Sequence, residues 1–166
     1  RIICMGGVLW RRGWIPPAFR AEFNIWKDPE AAKMFFERAI SPVLVPLDLT
    51  ATVAVELRHL LRLRKAGAVL QDYLFQNALS WYAASAIPAA VISGRFGFMP
   101  HDPLAIGVLL WPEIYDFEHV NVDVLVNGAD TGRTILSANG GETQVARKVE
   151  AKIFLDRMFE RLSCAG

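Results

Sequence analysis

Apolar positions along this chain recur in two rhythms. Ile2-Ile3-Cys4-Met5 is an unbroken apolar run, and Val43-Leu44-Val45 is a second, held between prolines within Ser41 to Leu47. Short continuous runs of this kind predict strands of a parallel sheet covered on both faces. Between them the period lengthens to that of a helix. Asp28 is its predicted cap, Pro29 fits its first position, and Ala31, Ala32, Phe35 and Phe36 form its apolar face. Gly6, Gly7, Gly13, Pro16 and Pro17 predict a long loop that carries Glu22 and Asn24. A helical pattern starts at Thr50 or Thr52, runs through Leu57, Leu60 and Leu61, and continues at Val69, Leu70, Tyr73 and Leu74, with Gly67 as a break. A further helical stretch passes Trp81 and Tyr82 to about Val91. Gly94 and Gly97 then open a loop that delivers His101.

From His119 to about Val149 the period shortens to two. The runs VNVDVLV, TGRTILS and TQVARKV are separated by Asn127-Gly128 and Asn139-Gly140-Gly141, which predicts a small antiparallel meander. A closing helix from about Glu150 to Leu162 turns Phe154, Leu155, Met158, Phe159 and Leu162 inward. The expected fold class is α/β with a mostly parallel central sheet. No repeat, low-complexity tract or linker interrupts residues 1–166, so no internal domain boundary is drawn.

Composition narrows the function classes. With 53% apolar and 21% charged residues the chain has the means to bury a core. Its 18 basic and 17 acidic side chains are interspersed and sum to +1, which argues against a nucleic-acid partner. The basic group Arg58, Arg62, Arg64 and Lys65 recurs among leucines at helical spacing and reads as a solvated face. Cys4 and Cys164 lie near opposite ends and read as unpaired thiols of a reducing, cytoplasmic compartment. The longest apolar stretch, Ala83 to Ser93, is broken by Pro88 and falls short of the roughly 20 residues a bilayer requires, so no membrane segment is expected. Arg1 leads straight into an apolar strand without a turn, and we read the chain as beginning inside a larger fold.

Two segments share the shape Asp-Pro-x-Ala: Asp28-Pro29-Glu30-Ala31 and Asp102-Pro103-Leu104-Ala105. Each is explained by helix capping alone. The second differs in its neighbour, His101, a side chain that exchanges protons near neutrality and is a candidate general acid. His59 and His119 read as packing or surface residues. Glu22 and Asn24 pair an acceptor with an amide that both donates and accepts, a combination suited to vicinal hydroxyls. Trp81 and Tyr82 read first as packing residues and secondly as stacking partners for a base. No nucleophile elbow, phosphate-binding glycine loop or zinc spacing is present.

Taken in order, Met5-Gly6-Gly7, Ala21-Glu22-Phe23-Asn24, Asp28-Pro29-Glu30-Ala31-Ala32, Val45-Pro46-Leu47-Asp48-Leu49-Thr50, His101-Asp102-Pro103-Leu104-Ala105, Thr131-Gly132-Arg133-Thr134 and Val149-Glu150-Ala151 resemble the inosine-uridine-preferring nucleoside hydrolases. The resemblance implies a calcium-dependent N-glycosidase that cleaves ribonucleosides to base and ribose, as in nucleoside salvage, and a homo-oligomer. It implies that Asp102 is a calcium ligand that also meets the ribose, that His101 protonates the departing base, and that Met5, Glu22 and Asn24 bind the sugar. The family's amino-terminal aspartate-rich motif has no counterpart here. The expectation is therefore the carboxy-terminal half of such an enzyme, inactive alone and completed by a missing amino-terminal half in the same or another chain. The alternative is a non-catalytic ribose-binding subunit or relic of the same fold.

Overall fold

A computed structural model describes residues 2–10, 13, 20–66, 69–93 and 96–164. Pro16, Pro17, Gly67 and Gly94 lie outside the described residues. The elements run in the order β1 (Ile3–Met5), α1 (Phe23–Lys27), α2 (Pro29–Arg38), β2 (Val43–Val45), α3 (Leu47–Thr50), α4 (Leu57–Ala66), α5 (Val69–Ser93), α6 (His101–Leu110), a 3-10 turn at Pro112–Ile114, β3 (Tyr115–Val124), β4 (Thr134–Leu136), β5 (Gly141–Val149) and α7 (Ala151–Cys164). They gather into two compact units, residues 1–50 with 101–149, and residues 51–100 with 150–166.

The first unit is built on a five-stranded sheet of order β1-β2-β5-β3-β4. β1 pairs with β2 and β2 with β5 in parallel, whereas β3 pairs antiparallel with both β5 and β4. The expected meander is thus corrected. β5 passes back beyond β4 and inserts between β2 and β3, so one sheet carries both kinds of pairing. β3 also starts at Tyr115, earlier than the alternation suggested, because a register shift between Asp116 and Phe117 disrupts the period of two. The core joins Ile25 of α1, Phe36 of α2, Leu44 of β2, Val122 and Val124 of β3 and Val145 of β5. α2 forms where expected: Asp28 is its N-cap and accepts the Ala31 N–H at 2.9 Å, with Pro29 in the first turn.

Thr50 does not begin the next long helix. The Pro46 carbonyl receives the Leu49 and Thr50 N–H groups, both at 3.0 Å, and closes the one-turn α3. β-branched Val53 and Val55 then favour extended backbone, and Val55 bridges Phe98, so α4 starts only at Leu57.

In the second unit α4 packs on α5 and α7, burying Leu60, Leu63, Phe75, Leu155 and Phe159. Two helices lie where the break at Gly67 was expected to separate them, but the stretch through Trp81 belongs to the single helix α5. Trp81, read first as a packing residue, is 62% exposed. His59 is buried and stacks on Phe159 at 5.7 Å, and its Nδ1 accepts the Glu56 N–H, as a packing histidine would. Arg58, Arg62, Arg64 and Lys65 are exposed, as a solvated face requires. No helix among the described residues is long and apolar enough to cross a membrane.

Candidate active site

The site lies within the first unit and grows from the turn after β1. Gly6 extends the parallel pairing through its N–H to the Val45 carbonyl, and Gly7 then turns the chain at φ +70°, a conformation that glycine adopts without strain. Three side chains distant in sequence pin the backbone from Gly7 to Trp10. Glu22 Oε2 accepts the Gly7 N–H at 3.1 Å. Thr134 Oγ1 accepts the Val8 N–H at 2.9 Å and donates to the Val8 carbonyl at 2.6 Å. Asp48 accepts the Leu9 and Trp10 N–H groups at 2.7 and 2.9 Å.

Glu22 is buried and has a second duty. As N-cap of α1 it accepts the Asn24 N–H on Oε1 at 2.9 Å and the Ile25 N–H on Oε2 at 3.2 Å. The backbone is extended at Glu22, and Asn24 is already in the first turn of α1. Asn24 Nδ2 donates to Met5 Sδ at 3.6 Å, which ties the amide to the end of β1.

α6 begins at His101, so Asp102 lies inside the first turn and not at the N-cap position that Asp28 takes in α2. Pro103 is tolerated there because the first N–H groups of a helix lack intrahelical acceptors. His101 is half-buried and its Nδ1 stands 2.7 Å from Thr50 Oγ1 at the end of α3. Burial lowers its pKa from the ordinary histidine value, and the neighbouring Asp102 charge opposes that shift. Asp102 is exposed.

Met5, Glu22, Phe23, Asn24, Leu47, His101 and Asp102 line one cavity of about 220 Å³. Met5, Glu22, Asn24, His101 and Asp102, the residues to which the resemblance gave a role, are all in that wall, and Trp81 and Tyr82 are not. Phe23 and Leu47 were missed, although both stand in the quoted motifs, because an apolar side chain between polar ones gives no chemical signal of its own. A calcium ion takes about 6–8 oxygen ligands. Among the described residues no cluster of three or more His, Cys, Asp or Glu side chains is placed to hold a metal, and Glu22 is engaged by three backbone donors. Asp102 alone does not compose a calcium site.

The sequence model of the inosine-uridine preferring nucleoside hydrolases matches residues 1–156, and the chain belongs to that family. It is 32% identical over 177 aligned positions to a pyrimidine-specific ribonucleoside hydrolase of Salmonella paratyphi C, covering 98% of this chain and 52% of that protein. Among solved structures it is similar to a purine-preferring ribonucleoside hydrolase from Gardnerella vaginalis, with TM-score 0.87 and 27% identity over 98% of this chain and 51% of the other. An inosine-uridine preferring nucleoside hydrolase from Bacillus anthracis shares the fold at TM-score 0.76 and 23% identity, covering 98% of this chain and 50% of that one. The chain spans about half the length of the curated relatives it matches.

Proposed function

We propose that this chain supplies the sugar-binding and base-protonating wall of a ribonucleoside N-glycosidase, a site completed by carboxylates from beyond these residues. The observation that carries the reading is the convergence of Met5, Glu22, Asn24, His101 and Asp102 on one cavity. At about 220 Å³ the cavity is smaller than the roughly 300–1,000 Å³ of a typical ligand pocket and suits a pentose better than a whole nucleoside.

The bond that breaks sets the chemistry. As C1′–N lengthens, positive charge grows on the sugar and the electron pair goes to the base. Asp102 and Asn24 face the sugar, where an anion and a dipole stabilise that charge. His101 gives a proton to the departing base, help worth typically 10²–10⁴-fold. Water completes the reaction by bonding its oxygen to C1′ and losing a proton to a base that this wall does not provide. Calcium, when bound, would hold the sugar hydroxyls and that water, with Asp102 as this chain's ligand. The other ligands, and the base, would come from the segment whose length the relatives have in addition. Base preference is left open by relatives that favour pyrimidines in one case and purines in another.

The test is binding and turnover measured together. The purified chain is expected to bind ribose, inosine or uridine in saturation-transfer NMR, to lose that binding on Asp102→Asn, to keep it on Asp28→Asn, and to release no ribose with or without calcium. Absence of sugar binding would sink the reading. Calcium-dependent ribose release by the chain itself would overturn the claim that the site needs a second contributor, and sugar binding that persists when the missing segment is supplied, without turnover, would favour the non-catalytic alternative.

A further inference from the structure

An imidazole that hands a proton to a substrate has to present one nitrogen and hold the other. In this site the held nitrogen is Nδ1 of His101, 2.7 Å from Thr50 Oγ1. Thr50 is fully buried, and its backbone is fixed in turn by the bond from its N–H to the Pro46 carbonyl. His101 lines the cavity and Thr50 does not. With Nδ1 turned to Thr50, the ring edge that carries Nε2 points away from Thr50. A ring rotated by half a turn would set a carbon against the hydroxyl and a carbon where Nε2 stands, so the contact selects one of the two orientations that the ring shape allows.

We propose that Thr50 is a positioning residue for His101, fixing the ring so that Nε2 meets the departing base. A hydroxyl suits this role because it both donates and accepts. It donates to Nδ1 when the ring is neutral with its proton on Nε2, and it accepts from Nδ1–H when the ring carries two protons or has just given one up at Nε2. A backbone carbonyl serves only the protonated nitrogen and a backbone N–H only the bare one. Thr50 thus keeps the ring in place through the whole proton transfer. The sequence conceals the pair, because the partners are far apart and Thr50 has the appearance of a helix-starting residue. The inference rests on the functional reading of His101 given above.

The experiment uses the 166-residue chain with ¹⁵N-labelled histidine and long-range ¹H–¹⁵N correlation, which reports ring tautomer and hydrogen bonding at each of the three histidines. His101→Gln assigns the signals. Thr50→Val, which keeps the shape and removes the hydroxyl, is expected to shift both ring nitrogens of His101 and mix its tautomers, while His59 and His119 stay where they were. Thr50→Ser is expected to restore the wild-type pattern. Should Thr50→Val fail to fold, Thr50→Ala compared with Thr50→Ser reads the same contrast. His101 signals indifferent to loss of the hydroxyl, or not restored by serine, would overturn the proposal. Uridine or inosine added to the wild-type chain is expected to move Nε2 more than Nδ1, an effect lost in Thr50→Val. If nucleoside binds and Nδ1 is the nitrogen that responds, the assignment of Nε2 is wrong. If no nucleoside binds, the functional reading fails, and the tautomer comparison still decides whether Thr50 sets the ring.

Discussion

Asp28-Pro29-Glu30-Ala31 and Asp102-Pro103-Leu104-Ala105 open two helices of the same unit with nearly the same letters, and their carboxylates are placed differently. Asp28 stands before its helix and spends an oxygen on the Ala31 N–H, whereas α6 has already begun at His101 when Asp102 is reached. The earlier start shifts the aspartate from the cap into the first turn, beside the cavity. An acidic group there is still favoured by the helix dipole, so local stability and a place in the site do not compete. Glu22 is an intermediate case, since one carboxylate caps α1, anchors Gly7 and lines the cavity.

Substitutions separate the structural carboxylates from the one proposed to meet the sugar, and they are taken in order of expected effect. Glu22→Gln replaces a buried acceptor of three N–H groups with an amide that turns donors toward donors, and should lower unfolding free energy by about 2–3 kcal/mol in denaturant melts. A loss below about 0.5 kcal/mol would mean that the carboxylate is held for the ligand alone. Asp28→Ala removes a cap and should cost about 1 kcal/mol, with Asp28→Asn close to wild type. A smaller and pH-dependent loss is expected from His59, whose pKa burial lowers, with Arg58 and Arg62 acting in the same direction and Glu56 and Asp156 opposing. The unfolded chain then binds a proton more readily than the folded one, so this contribution is complete above about pH 6.5 and is lost as pH falls below it. Melting measured from about pH 8 to about pH 5 checks this, and His59→Gln should flatten the slope in that window. Least of all, Asp102→Asn should shift the calcium-free melting midpoint by no more than the equivalent of about 0.5 kcal/mol. A loss as large as that of Asp28→Ala would make Asp102 a structural residue after all.

How far the sequence led depends on how local each cause is. The cap at Asp28, the strand at Val43-Leu44-Val45 and the inward face of α7 are set by neighbours a few residues away, and all were legible. The residues that share the cavity wall were legible through their motifs, which fix chemistry and order together. What escaped depends on partners remote in the chain. The insertion of β5 beside β2 is a choice between sheet edges that no period of two records. The clamp of Thr134 on Val8 and the contact of Thr50 with His101 use threonines whose letters suit a strand or a helix start equally well. The start of α6 escaped because a proline two residues into a helix looks, in sequence, like a proline at its first position.

The insertion of β5 also bears on synthesis. A ribosome issues β1 and β2 early, yet β5, the strand on the other side of β2, is issued after roughly 100 further residues, or roughly 5–20 seconds later at about 5–20 residues per second. The second unit waits as well, because α7 follows β5 in the chain and packs on α4. Until β5 arrives, Val43-Leu44-Val45, wholly buried when folded, has β1 on one side and an unpaired apolar edge on the other, the kind of edge that invites pairing with another chain.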